Sequence, residues 1–323
     1  MNYYLHAYSS LPVLYEQESL PQREKRRLIG NCAASLELDS KDDVMLRRAG
    51  VRARPIHVFV DRAEKRRRAP EVKTHVLGAV PPIGSFIRLS ERVYLSSPEF
   101  CFLQMASVLD FIELIRFGYE LCATYRLDEH LDAGFRQFVP LTDTRKLSAY
   151  LSRAGHMKGV KAATRALSYI LESARSPRET ALAMLLTLHT RYGGWQLPKP
   201  VLNHRVYVGG DVEGYLHRYI DLYWPQWRIG LEYDSDAFHV GAERITRDSV
   251  REKVLRSNGI RMLRVTNEEL LNPIKLDLAI STLERELGRQ PRKKKPETNI
   301  KRRQLANKLL APHDNLFELP AAA

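Results

Sequence analysis

The stretch YIDLYWPQWRIGLEYD, Tyr219 to Asp234, sets three carboxylates along two short apolar strands. Neighbouring side chains on a strand point to opposite faces and residues two apart share one. Glu232 and Asp234 therefore lie together, while Ile229, Leu231 and Tyr233 take the other face. In the preceding segment Ile220 and Leu222 alternate with Tyr219, Asp221 and Tyr223. With Trp224 to Trp227 as the turn of a hairpin, Tyr223 opposes Arg228, Asp221 opposes Gly230, and Glu232 becomes the diagonal neighbour of Asp221. All three acids then point the same way. Diagonal residues lie roughly 7–8 Å apart at the backbone, a gap that two inward-reaching carboxylates bridge through one cation. Mg²⁺ prefers such an oxygen site, completed by water and phosphate, and Mn²⁺ is the second candidate. A slip of one residue in register would turn Asp221 to the wrong face.

Taken alone, acids at this spacing also suit the solvated face of an ordinary hairpin, and the order of the surrounding parts separates the two readings. SPRETALAMLL opens a helix, IDLYWP ends a strand in its acid, and LEYD lies on the next strand. FH, the helix RDSVREKVLRSNGI and the strand RMLRVT follow. In that order Ser176 to Leu287 resembles the very-short-patch-repair-like endonuclease domains (domain of unknown function 559) of the PD-(D/E)xK nuclease superfamily. Residue by residue, Asp221 matches the first acid, Glu232 and Asp234 match the E-x-D, and His239 matches the histidine that follows. Asp248 and Arg251 match the D-x-x-R of the next helix, Arg264 matches the arginine of the R-V-T strand, and Glu179 matches the glutamate of the leading helix.

The resemblance implies a restriction-endonuclease-like mixed sheet flanked by helices and a Mg²⁺-dependent endonuclease, a hydrolase of phosphodiester bonds acting more on DNA than on RNA. Asp221 and Glu232 would be metal ligands, and Asp234 a further ligand or the holder of a metal-bound water. His239 suits a general base or acid because its unperturbed pKa of about 6.5 serves both. Arg251 and Arg264, with Asp248 and Lys253 nearby in the motif, would face phosphate. Ser235, followed by Asp236, stands where many relatives have glycine after the second acid. No lysine follows Glu232 at the superfamily's usual place, so that role falls to His239, Arg251, Lys253 or no residue. A catalytically inactive DNA-binding regulator or antitoxin-like protein on the same fold is the alternative.

Several of these residues have plainer roles. Ser176, Pro177 and Glu179 read as N-cap, N1 and N3 of a capping box, which puts capping ahead of catalysis for Glu179. The same signature recurs at SSPE, Ser96 to Glu99. Asp248 and Arg251 also suit an exposed ion pair one helical turn apart.

A net charge of +13 over 323 residues suits a polyanionic partner. Basic clusters stand at Arg23 to Arg27, around Arg66, and in the tail PRKKKPETNIKRR, which reads as a flexible arm over 288–323. Cys32, Cys101 and Cys122 are odd in number and far apart, which indicates a reducing compartment and argues against structural zinc. MNYYLHAYSS lacks the basic start and apolar core of a signal peptide. The stretch EFCFLQMASVLDFIELIRFGY is broken by Asp110, Glu113 and Arg116 and reads as buried helix, with no membrane partner and a cytoplasmic location expected.

Residues 1–172 read as a smaller α+β domain ahead of the nuclease-like domain at 173–287. Strands are expected at Ile56 to Val60, Thr74 to Gly78, Ser85 to Leu89 and Arg92 to Ser96. Helices are expected at Pro98 to Leu109, Phe111 to Tyr125, Thr144 to Ala154 and Gly159 to Leu171. HVFV, the His75 strand and YLSSPEFCFLQMA loosely resemble bacterial proteins related to the AbiEi antitoxins, which implies target selection or regulation. His57 and His75 read as core or edge histidines of these strands.

Overall fold

The computed structural model describes residues 2–17, 40–66, 70–128, 130–208, 216–234, 255–290 and 296–311. It is mixed α/β and divides into two compact units, Met1–Cys122 with Val139–Ile170, and Ala123–Phe138 with Leu171–Pro312. The hairpin of β6 (Tyr125–Leu127) and β7 (Phe135–Gln137) belongs with the second unit, not the first.

The first unit is built on five strands in the order β3-β2-β1-β5-β4: β1 Tyr3–Leu5, β2 Ile56–Val60, β3 Val72–Val76, β4 Phe86–Arg88 and β5 Val93–Ser96. Its central strand, β1, is only three residues long, all buried, and runs antiparallel to β2 and parallel to β5. IHVFV is buried at every position, as expected of a β-branched and aromatic run in a sheet interior. Helices α1 (Ala7–Glu16) and α3 (Pro98–Met105) pack on each other, α1 also lies against the sheet, and α4 (Phe111–Cys122), α5 (Thr144–Arg153) and α6 (Val160–Leu167) complete the layer; α2 spans Ser40–Arg48. The N-cap of α3 is Ser97, whose side chain accepts from Phe100 N–H. Glu99 thus sits one position earlier than the capping-box reading places it, and its carboxylate accepts from Thr142 Oγ1 at 2.5 Å.

The second unit has four strands in the order β11-β10-β9-β8, namely β8 Val201–Val208, β9 Leu216–Trp224, β10 Ile229–Asp234 and β11 Arg261–Thr266. β8, β9 and β10 form an antiparallel meander and β11 lies parallel to β10. Helix α7 (Pro177–Thr187) precedes them and touches β9; α8 (Asn267–Leu271), α9 (Pro273–Glu286) and α10 (Pro296–Leu310) follow. α10 corrects the expectation of a flexible basic arm over that span. Leu305 and Leu309 stand one turn apart and are buried, giving the charged segment an apolar stripe. Its docking is close: Gly193 has φ +93°, and a Cβ there would lie 2.3 Å from Lys301 O. No helix among the described residues is long and apolar enough to cross a membrane.

Candidate functional site

The hairpin of β9 and β10 pairs Tyr223 with Gly230, Trp224 with Ile229 and Leu222 with Leu231, a shift of two residues from the expected register. The turn is Pro225–Gln226–Trp227–Arg228, not Trp224 to Trp227. One contact outside the hairpin and one backbone conformation within its turn explain this. Trp224 is fully buried, and its Nε1–H donates to Pro198 O at 2.7 Å, so it belongs to the strand. Arg228 takes the left-handed conformation (φ 53°) that closes the turn. Because the shift is even, the alternation of β10 is unchanged, and Glu232 and Asp234 share a face as expected.

Asp221 lies one position beyond the Leu222–Leu231 pair, and continuing the register sets it across from Glu232 where a diagonal relation was expected. Its Oδ2 accepts the Tyr233 backbone N–H at 2.9 Å, so the carboxylate takes up a ladder donor where the backbone pairing ends. β11 is in register with β10 and places Arg264 directly beside Glu232; Arg264 Nη1 lies 3.9 Å from Asp234 Oδ2.

Glu179 reaches this sheet from the first turn of α7. Ser176 is the N-cap and its Oγ accepts from Glu179 N–H at 3.1 Å. The glutamate side chain bonds one residue further back than a capping box requires: Oε2 accepts from Arg175 N–H at 2.9 Å and from Asn203 Nδ2 at 2.7 Å, and Oε1 from Ser176 Oγ at 3.1 Å. Asn203 lies on β8 between the pairs Leu202–Leu222 and His204–Ile220, hence across from Asp221, and adopts φ 47°. Asparagine tolerates that left-handed conformation better than most residues. Its amide also donates to Ser173 O at 2.8 Å, which fixes its aim at Glu179. Burial pushes the Glu179 carboxyl above the usual carboxylate range, the charge of Asp221 pushes it further, and the three hydrogen bonds pull it partly back. Glu179 thus caps a helix and also faces Asp221.

His239, Asp248, Arg251 and Lys253 lie outside the described residues. Among the described residues, Asp221, Glu232 and Asp234 do not bring ligand atoms within 4.8 Å of one another as a trio. The one such group of histidine, cysteine or acidic residues is His6, His57 and His75, in the first unit. No sequence spacing advertises it, since it is assembled from the N-cap of α1 and from β2 and β3. Compared with known protein families, curated proteins and solved structures, the chain shows no match.

Proposed function

We propose that the second unit is a metal-dependent endonuclease of the PD-(D/E)xK type that hydrolyses phosphodiester bonds, DNA being its substrate. The observation that carries this reading is the pairing of two carboxylates, Glu179 and Asp221, across the α7–β9 junction next to Glu232 on β10. Like charges held together in a partly buried setting raise each other's protonation, and a divalent cation relieves that strain. Mg²⁺ is commonly held by only one or two protein carboxylates with water and phosphate filling its other positions, so a converged trio is not required.

The donor set is all oxygen and fits Mg²⁺ or Mn²⁺, with Asp221 and Glu232 as the residues that would hold it and Asp234 beside them. When bound, the ion lowers the pKa of its water and neutralises charge on the scissile phosphate. The chain's own groups orient the rest. Arg264, adjacent to Glu232 and half exposed, would bind a phosphate oxygen. Asn203 holds Glu179 in place, and Tyr233 N–H holds Asp221. The net charge of +13 supplies sequence-independent attraction for the polyanion.

A second reading, the catalytically inactive DNA-binding regulator, is favoured by one observation: the three sheet carboxylates do not converge among the described residues. A substrate panel separates the two. Supercoiled, linear and single-stranded DNA and RNA are incubated with the full chain and Mg²⁺ or Mn²⁺, beside Asp221→Ala and Glu232→Ala. Cleavage lost in both variants supports the nuclease; binding without cleavage in either metal, unchanged in the variants, supports the regulator.

A further inference from the structure

Three imidazoles in the first unit come together at one face of its sheet: His57 on β2, His75 on β3, and His6 just past the end of β1, where it is the N-cap of α1. Leu5 of β1 opposes Val58 of β2, and the antiparallel register carries on to His6, whose N–H donates to His57 O at 2.9 Å. In the parallel pair β2–β3, Phe59 is in register with His75, and Phe59 shares its face with His57. All three side chains therefore project together. One nitrogen from each lies within 4.8 Å of the other two, His57 Nδ1 and His75 Nε2 are 2.8 Å apart, and the His6 ring stacks on His75 at 3.9 Å between centroids.

We propose that His6, His57 and His75 bind one divalent transition ion of the imidazole-preferring class, Zn²⁺ foremost, with its remaining position open to the adjoining cavity. Three protein nitrogens and one exchangeable position is the ligand set of catalytic rather than structural zinc, and imidazole also suits Cu²⁺, Ni²⁺ and Co²⁺. One further observation points to a ligand. His6 and His75 form part of the wall of a cavity of ≈ 440 Å³, together with Tyr8, His156 and Lys158. That space admits a water or small anion as the fourth ligand.

The electrostatics suit neutral imidazole, the form that donates a lone pair. Burial is the first cause of lowering for all three rings and holds His57 and His75 down to about 4; Lys73 adds to this for His57, His57 and then Lys73 and Arg66 add to it for His75, and His75 and His57 add to it for His6. The nearby cations Lys73 and Arg66 disfavour a bare dication and favour one carrying an anionic fourth ligand. Nitrogens about 2.0–2.1 Å from a tetrahedral ion stand roughly 3.3 Å apart, so binding would open the His57–His75 contact by about half an ångström.

The test is metal titration of the full chain, stripped with chelator, in excess Mg²⁺. That ion occupies oxygen sites and leaves imidazole sites free, which keeps the result independent of the nuclease reading. Expected are one Zn²⁺ or Co²⁺ per chain, a Co²⁺ visible spectrum of a four- or five-coordinate site, three imidazoles by X-ray absorption, and affinity weakened by more than about 100-fold in His57→Ala and His75→Ala but unchanged in His156→Ala. Where an alanine variant fails to fold, His75→Gln and the wild-type absorption spectrum decide. No stoichiometric binding by the wild-type chain, binding unchanged in folded His57 or His75 variants, or a site without imidazole ligands would overturn the proposal and leave a hydrogen-bonded histidine cluster.

Discussion

Glu120, on α4, provides a quantitative test of the first unit's core. It is 4% exposed, neither carboxylate oxygen has a hydrogen-bond partner, and burial pushes its pKa up to about 8 from 4.5, against a smaller opposite pull from Arg116. The folded chain therefore holds it neutral at pH 7, while the unfolded chain ionises it. For a carboxyl whose folded pKa is raised, stability falls as pH rises through the window from 4.5 to about 8, at about 1.4 kcal/mol per pH unit, and the loss levels off above it. At pH 7 the window is open by 2.5 units, or about 3 kcal/mol of lost stability relative to a side chain that cannot ionise. Glu120→Gln keeps the shape and removes the ionisation. The variant should gain little at pH 4.5 and about 3 kcal/mol at pH 7, read as the shift in urea midpoint between the two proteins at each pH. Hydrogen exchange of the α4 amides localises the gain to this unit, since the chain divides into two compact units. A pH-independent difference, or a variant less stable than wild type at pH 8, would refute the reasoning.

Gly193→Ala forces a side chain into a left-handed backbone and against Lys301 O. It should destabilise the second unit by about 2 kcal/mol or more and expose α10 to proteolysis before the rest. Glu179→Ala removes acceptors for Arg175 N–H, Ser176 Oγ and Asn203 Nδ2 and should lower stability by about 1–2 kcal/mol, with Glu179→Gln losing less. Cys101 and Cys122 are buried, and burial raises the Cys101 thiol well above its ordinary pKa. Neither should react with a thiol probe in the native chain, and both should react in denaturant.

Where the sequence was legible, local physics was enough. IHVFV reads as a buried strand from its β-branched and aromatic content, and Ser-Pro-Arg-Glu reads as a helix start because capping depends on residues three apart. The hairpin register needed Pro198, far from the turn in sequence, whose carbonyl draws Trp224 into the strand. β1 was missed because three residues carry too little pattern, though their position at the centre of the sheet makes them decisive. In the tail, the run of lysine and arginine hid the Leu305–Leu309 stripe. The histidine group was invisible because strand order, not spacing, brings His6, His57 and His75 together.

The most direct test of the nuclease reading is conversion of supercoiled plasmid by the full chain in Mg²⁺, compared with the chain in chelator and with Glu232→Gln, which keeps the side chain's shape but removes its charge. The account predicts nicked or linear product from the wild type in Mg²⁺ alone and at least a 100-fold slower reaction in the variant, about 2.7 kcal/mol of lost transition-state stabilisation. Cleavage that survives chelation, or proceeds equally in Glu232→Gln, would contradict it.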